Sequence, residues 1–167
     1  MKQMTKANLE AAFAGESQAH MKYSIYAEKA EREGYPHVAK LFRAISYAEK
    51  VHASNHFRAL EKVHDTASNL LDAAAGENYE VTEMYPAFEA VAKLQDEMSA
   101  VRSIQYAVEA EKIHEVMYLS AKDNVTQGKD ITASEIYVCP VCGHTVIGEP
   151  PDVCPVCRLA KNKYIKF

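Results

Sequence analysis

The pentapeptide Ala48-Glu49-Lys50-Val51-His52 recurs almost unchanged later in the chain as Ala110-Glu111-Lys112-Ile113-His114. Both copies place a histidine three residues after a glutamate. On an α-helix, residues i and i+3 lie on one face, so each copy presents a carboxylate and an imidazole to the same point. Two such helices can face each other and hold two metal ions. The repeat therefore predicts a helical bundle organised around a metal centre.

Bundles that bind two metal ions in this way also carry one inward glutamate on each of the other two helices. The first predicted helix runs from Thr5 to Gly34, and Glu16 lies in the middle of its apolar stripe. A buried carboxylate without a partner is costly, which indicates a metal or an ion pair at Glu16. The alternative is a glutamate at the margin of the stripe that reaches water.

The second predicted helix runs from Pro36 to about His64 and carries Glu49 and His52 on its apolar face. Two other histidines lie close to these candidates along the chain. We expect His20 to make a structural hydrogen bond within the bundle. We expect His56, one turn beyond His52, to lie in the core or at the end of the bundle.

Residues 65–76 are predicted to form a less regular connection that contains a short helix, opened by Thr66 and closed by Gly76. Glu77, Glu80 and Glu83 follow at intervals of three. Since a helix turns about 100° per residue, Glu77 and Glu83 diverge by roughly 120° and cannot be equivalent. We expect Glu77 to complement the dipole of the first helical turn, and Glu80 and Glu83 to be the ligand candidates. Pro86 predicts a local kink just after this site.

The fourth predicted helix spans about Glu97 to Asn124 and carries Glu111 and His114 on its inner side. The four predicted helices thus alternate. The first and third carry single candidate glutamates, and the second and fourth carry Glu-x-x-His motifs. Oxygen-rich ligation with two imidazoles suits iron or manganese better than zinc. The stretch Lys93 to Glu97 lacks a glycine that would mark the turn before this helix, so the position of the turn is left open.

Four cysteines lie near the C-terminus in two Cys-x-x-Cys motifs, formed by Cys139 with Cys142 and by Cys154 with Cys157. This spacing predicts a tetrahedral site with four thiolate ligands. A segment of this length cannot build an adequate core, so the metal must supply much of its folding free energy. Zinc and iron both remain open for this site from the spacing alone.

The composition limits the class of protein further. The 167 residues are 48% hydrophobic and 25% charged, which suffices for one ordinary domain and a small second one. We see neither a membrane span nor a signal peptide, and we expect a cytoplasmic protein. The formal net charge is −4 without a basic cluster, which argues against nucleic acid as a partner.

The combination of both modules in this order resembles the rubrerythrin family over nearly the full length. The resemblance is carried by Gly15-Glu16-Ser17-Gln18-Ala19, the two Glu-x-x-His motifs, Glu80 and Glu83 before Met84-Tyr85-Pro86, and the cysteine quartet. It implies an all-α ferritin-like four-helix bundle followed by a small rubredoxin-like β domain that binds metal. We place the bundle at residues 1–127, a linker at 128–134 and the rubredoxin-like domain at 135–167.

The resemblance also implies a function and cofactors. Members of the family act as non-haem di-iron peroxidases that reduce hydrogen peroxide to water in oxidative-stress defence. The expected cofactors are two iron ions in the bundle and one iron in the Cys₄ site, for which zinc could substitute. Electrons would come from an external NADH-linked reductase or a rubredoxin and pass through the Cys₄ iron to the di-iron site.

Individual roles follow from the same resemblance. Glu49 and Glu111 would bridge the two irons, and one iron would move between His52 and Glu83 with redox state. The remaining terminal ligands would be Glu16, Glu80 and His114. Arg158 departs from the family pattern, in which a glycine follows the second Cys-x-x-Cys motif. A glycine would adopt a positive φ at this position more easily than arginine.

Two other functions use the same features. A ferroxidase or iron-handling protein would need the bundle, but that function would not explain the appended redox domain. An interaction module with a structural zinc site would require the repeated Glu-x-x-His motifs to be coincidental. Two centres in separate modules also suggest a homodimer or higher homo-oligomer, and exchange of helices between subunits is left open.

Overall fold

A computed structural model describes residues 1–132 and 135–167 of the chain. Ala133 and Ser134, which belong to the predicted linker, lie outside the described residues. The chain divides into two compact units, Met1–His64 and Asp65–Phe167. In the described part of the chain, no helix is both long and apolar enough to cross a membrane.

The first unit is a hairpin of two long helices, α1 at Gln3–Arg32 and α2 at Pro36–Ala59. Gly34 ends α1 as predicted: it has a φ of +80°, which glycine adopts without strain. Two predicted boundaries were wrong. Helix α1 begins before Thr5, and α2 stops well before His64.

Small side chains line the contact between α1 and α2, and the buried ones are Ala27, Ala30, Ala39, Ser46 and Ala53. Ser46 joins the two helices through polar contacts. Its hydroxyl donates to the His20 carbonyl at 2.8 Å, and the His20 Nδ1 lies 2.9 Å from both the hydroxyl and the carbonyl oxygen of Ser46. His20 therefore makes the structural hydrogen bond expected of it.

The second unit begins with a continuous helical segment that consists of α3 at Thr66–Tyr79, a π-helical turn at Glu80–Met84 and α4 at Tyr85–Leu94. The helix predicted to begin at Thr66 is present, but it continues past Gly76, so its predicted end was wrong. Asp65 starts α3 because its carboxylate accepts the backbone N–H of Ser68 at 2.9 Å.

The break in helical geometry lies before Pro86. In the π-helical turn the backbone N–H of Tyr85 reaches the carbonyl of Glu80, five residues back. Proline has no N–H to donate, and it follows this turn in the first turn of α4, where that loss is tolerated. The sequence predicted an irregularity just after Glu80 and Glu83, whereas the π-helical turn contains these two residues.

Helix α5 spans Met98–Thr126 and packs against both α3 and α4. The turn between α4 and α5 contains no glycine. Asp96 adopts the left-handed conformation instead, with a φ of +58°, and the N–H of Glu97 bonds the carbonyl of Ala92 at 2.9 Å. Aspartate tolerates this conformation better than most residues, which explains how the chain reverses here.

Three short strands follow: β1 at Ile136–Val138, β2 at Thr145–Ile147 and β3 at Ile165–Lys166. They form an antiparallel sheet in the order β2-β1-β3. The interior beside this sheet consists mainly of cysteines, against which Tyr106 of α5 also packs. Among residues 135–167, the sheet therefore has only a small hydrophobic core, in which Val156, Leu159 and Tyr164 pack against the cysteines.

Candidate metal centres

The first candidate centre lies on the α1–α2 hairpin. Glu16 of α1 and Glu49 and His52 of α2 bring their ligand atoms within 4.8 Å of one another. The His52 Nδ1 lies 2.9 Å from a Glu49 carboxylate oxygen and 3.8 Å from a Glu16 oxygen. The interpretation of Glu16 as the partner of the Glu-x-x-His motif agrees with this geometry. We call these three residues the α1–α2 cluster.

The second candidate centre lies in the other unit. Glu77 of α3 and Glu111 and His114 of α5 also bring their ligand atoms within 4.8 Å of one another. The His114 Nδ1 lies 2.5 Å from a Glu111 carboxylate oxygen. We call these residues the α3–α5 cluster. It has the same composition as the first cluster, with one lone glutamate and one Glu-x-x-His motif.

The glutamate in the α3–α5 cluster is not one of those selected from the sequence. Glu80 is half-buried close to the cluster, where burial and then the charge of Glu111 raise its pKa. Glu83 is exposed and is not part of either cluster. Glu77 had been interpreted as a residue of the first helical turn, but it lies near the end of α3, where a carboxylate does not complement the helix dipole.

A second sequence repeat could have identified Glu77. Ala14-Gly15-Glu16 on α1 recurs as Ala75-Gly76-Glu77 on α3, so the lone glutamate of each cluster directly follows an Ala-Gly pair. The duplication therefore extends beyond the Glu-x-x-His motifs to all three residues of each cluster. The Glu-x-x-His repeat alone does not identify Glu77.

The electrostatics of the α3–α5 cluster favour a bound cation. Burial, followed by the nearby charge of Glu111, raises the pKa of Glu77 to about 7. The unfavourable energy of bringing two carboxylates together is relieved when a cation binds between them. Carboxylate oxygens and imidazole nitrogens together form a donor set suited to iron.

The four cysteines form a separate site. Cys139, Cys142, Cys154 and Cys157 bring their sulfurs within 4.8 Å of one another, and all four are free thiols. Burial raises the pKa of Cys154, but the N–H groups of Cys157 and Val156 and the Tyr164 hydroxyl lower it to about 6 overall. These donors stabilise a thiolate, the form that binds metal.

The backbone wraps around the sulfurs through two equivalent turns. Gly143 follows the first Cys-x-x-Cys motif with a φ of +79°, and Arg158 follows the second with a φ of +67°. The N–H of each residue bonds the carbonyl of the first cysteine in its motif, at 3.0 Å in both cases. Arg158 therefore holds a conformation that glycine adopts more readily.

Within the second unit, the cysteine site lies beside the α3–α5 cluster. The His114 Nε2 lies 2.8 Å from the hydroxyl of Thr145, the first residue of β2. The backbone at Gly143 is close to Ala110 on α5, since a Cβ at Gly143 would lie 3.5 Å from the Ala110 Cβ. The domain that carries the cysteines is thus in direct contact with a residue of the other candidate centre.

Comparison with known proteins places this combination of sites in one family. The rubrerythrin family model matches residues 7–122, and the model of the rubrerythrin rubredoxin-like domain matches residues 137–165. Rubrerythrin-2 of Clostridium acetobutylicum is 41% identical over 98% of this chain and 97% of its own length. Nigerythrin of Nitratidesulfovibrio vulgaris is 32% identical over 98% of this chain and 86% of its own length.

A solved structure gives the same result. The structure described as the fully reduced, all-ferrous state of nigerythrin matches with a TM-score of 0.59 and 31% identity, over 98% of this chain and 86% of that chain. These matches confirm the predicted fold class, a ferritin-like helical bundle with a rubredoxin-like domain. They also confirm the predicted cofactors, a carboxylate- and histidine-bound di-iron site and a Cys₄ metal site. The chain belongs to the rubrerythrin family of iron proteins.

Proposed function

We propose that this protein is a non-haem di-iron peroxidase that reduces hydrogen peroxide to water with electrons delivered through its Cys₄ iron. The family supports the coarser assignment, an iron-containing oxidoreductase with a role in oxidative-stress defence. The observation that carries the finer one is the contact between His114 of the α3–α5 cluster and Thr145 of the rubredoxin-like domain. A storage or ferroxidase function does not require this contact.

The ligand set we propose combines both clusters. Glu16, Glu49 and His52 would come from the α1–α2 cluster, and the residues from the second unit would be Glu77, Glu80, Glu111 and His114. This set takes Glu77 in place of Glu83, because Glu77 shares a cluster with Glu111 and His114 whereas Glu83 belongs to neither cluster. Glu49 and Glu111 remain the proposed bridging carboxylates.

The overall reaction consumes two electrons and two protons for each peroxide and yields two water molecules. When bound, two ferrous ions supply both electrons for cleavage of one O–O bond. The carboxylates of the two clusters would bind these ions and compensate their charge. The His114 Nδ1 lies against Glu111 within the α3–α5 cluster, while its Nε2 faces the rubredoxin-like domain.

Electrons return from outside the protein in this proposal. An NADH-linked reductase or a rubredoxin would reduce the Cys₄ iron, whose thiolate ligation suits one-electron transfer. We also propose a homodimer or higher homo-oligomer in the cytoplasm. The exposed apolar side chains of α2, such as Leu41 and Ile45, support contact with a further subunit.

Anaerobic stopped-flow absorbance tests the peroxidase proposal. The fully reduced, iron-loaded protein is mixed with stoichiometric hydrogen peroxide or with dioxygen, and the thiolate-to-iron bands of the Cys₄ site are followed. We expect rapid return of the bands with peroxide and slow return with dioxygen. Faster return with dioxygen would favour a ferroxidase, and no thiolate bands at all would favour a zinc-containing module.

Two variants locate the chemistry. Glu111→Gln should abolish the rapid phase, because Glu111 belongs to the α3–α5 cluster. Glu109→Gln is the matched control on the same helix, since Glu109 is exposed and pairs only with Lys112 in the contacts seen here. An equal loss of rate in both variants would contradict the assignment of the reaction to the cluster.

A further inference from the structure

Thr145 makes two hydrogen bonds at the contact between α5 and the rubredoxin-like domain. Its hydroxyl donates to the backbone carbonyl of Gly143 at 2.9 Å. The same oxygen lies 2.8 Å from the His114 Nε2. Thr145 is half-buried, so water competes only partly for these contacts.

The direction of these bonds follows from the number of protons available. A threonine hydroxyl has one proton, and in this geometry Gly143 accepts it. The Thr145 oxygen can then only accept from His114, which requires a proton on Nε2. The Nδ1 atom lies 2.5 Å from a Glu111 carboxylate oxygen, and a hydrogen bond at this distance needs a proton between the two atoms. A metal ion bound beside Glu77 and Glu111 would take the place of that proton, and the Nε2–H tautomer leaves the Nδ1 lone pair free to bind it.

The same two hydrogen bonds connect the two centres. Gly143 directly follows Cys142, whose side chain belongs to the Cys₄ site. From this cysteine, a continuous path runs along the backbone to the Gly143 carbonyl, then through the Thr145 hydroxyl to the His114 ring. No other side chain of the described residues is seen to hydrogen-bond the His114 Nε2.

We propose that Thr145 is a positioning residue that fixes the Nε2–H tautomer and orientation of His114 and couples the rubredoxin-like domain to the α3–α5 cluster. The electron-transfer part of this inference rests on the proposed function, whereas the effect on metal binding does not. Partners that hold the remote nitrogen of a metal-binding histidine change metal affinity or activity by about 10- to 100-fold when removed. Thr145 lies in a different domain from the histidine that it holds.

Three variants test this proposal in the full chain. Thr145→Val keeps the shape and the β-branched character suited to a strand but removes the hydroxyl. Thr145→Ser restores the hydroxyl. Thr126→Val is the matched control, because Thr126 bonds only the Lys122 carbonyl of its own helix in the contacts seen here.

The first measurement is anaerobic Fe(II) titration of protein whose Cys₄ site is already filled. We expect at least about a tenfold higher dissociation constant for Thr145→Val, and values close to the unmodified protein for Thr145→Ser and Thr126→Val. The second is the rate at which the thiolate-to-iron bands return after peroxide is added, which should fall by a similar factor in Thr145→Val alone. A merely structural threonine would not show rescue by serine in both measurements.

The outcomes separate this proposal from the proposed function. If the unmodified protein shows no response to peroxide, the peroxidase proposal fails, but the Fe(II) titration still tests Thr145. Equal Fe(II) affinity in all variants would overturn the role of Thr145 even if the peroxide response is present. If the Thr145→Val protein loses the Cys₄ absorbance, the Thr145→Ala variant is used in its place. Its Fe(II) affinity is then compared with that of Thr145→Ser in the same way.

Discussion

The Glu77 carboxylate on α3 and the His114 imidazole on α5 belong to one cluster, in which the ligand atoms lie within 4.8 Å of one another. Glu111, three residues before His114, completes this cluster. The two helices therefore converge on a point that three potential ligands share. We therefore expect Glu77 to be a metal-binding glutamate of the α3–α4 segment.

Glu77→Gln should weaken Fe(II) binding by at least about tenfold, because a neutral amide replaces a carboxylate of the proposed donor set. Glu83→Gln is the control on the same helical segment and should leave Fe(II) binding unchanged, since Glu83 belongs to neither cluster. Anaerobic Fe(II) titration measures both. Loss of binding in Glu83→Gln with full binding in Glu77→Gln would restore the assignment made from the sequence alone.

The stability of the metal-free protein should depend on pH through Glu77. Its pKa in the folded protein is raised to about 7 from an ordinary value of 4.5, mainly by burial. The folded state then binds a proton more tightly than the unfolded state, so this contribution is fully present below pH 4.5 and is lost as the pH rises through about 7. Glu77→Gln should remove that part of the pH dependence.

Urea denaturation of metal-free protein between pH 5 and pH 8 measures this effect. The free energy of unfolding of the unmodified protein should fall relative to that of Glu77→Gln as the pH increases. Glu109→Gln is the control, because Glu109 is an exposed glutamate of α5 that lies outside the cluster. A constant difference between Glu77→Gln and the unmodified protein across this range would contradict the prediction.

Arg158→Gly should stabilise the rubredoxin-like domain by about 1 kcal/mol, because the φ of +67° at Arg158 is strained for a residue with a Cβ. Gly143→Ala should have the opposite effect. The added Cβ would make ordinary contact with Ala110 at 3.5 Å, so the cost comes from the backbone conformation at φ +79°. Loss of the thiolate-to-iron bands with increasing denaturant measures both. Destabilisation by Arg158→Gly would show that the arginine side chain contributes more than the strain costs.

Removal of the metal from the cysteine site should unfold the small sheet and leave the helices intact. The strands have only two or three residues each, and the interior beside them consists mainly of cysteines. Metal ligation therefore supplies much of the folding free energy of this domain. Amide hydrogen exchange should show rapid exchange at the Cys139 N–H, which bonds the His144 carbonyl, after treatment with a chelator. Continued protection of this amide would contradict the prediction.

The parts of the fold that local chemistry specifies could be predicted from the sequence. Helical spacing and the Glu-x-x-His repeat predicted the long helices, and the cysteine spacing predicted the metal-bound domain. Gly34 and Pro36 marked the turn between α1 and α2 correctly, since each has a strong backbone preference. The exact ends of α1 and α2 were wrong because they depend on weak preferences of polar residues.

Helix-dipole reasoning did not identify Glu77 because it assumed that one helix ends at Gly76 and another begins at Glu77. Helix α3 instead continues from Thr66 to Tyr79, so Glu77 lies within it. The π-helical turn after Tyr79 was also not predictable from periodicity, because it changes the angle between successive residues. The contact between Thr145 and His114 joins two domains and has no local sequence signal.

The π-helical turn between α3 and α4 also affects how this segment tolerates changes in length. Because a π-turn contains one residue more than the α-helical turn it replaces, deletion of one residue within Glu80–Met84 could convert it to ordinary α-helix. Such a deletion would rotate α3 relative to α4 by about 100°. Glu77 and the side chains of α4 could then no longer both face α5. The extra residue thus sets the rotation between α3 and α4 at which both Glu77 and the side chains of α4 face α5.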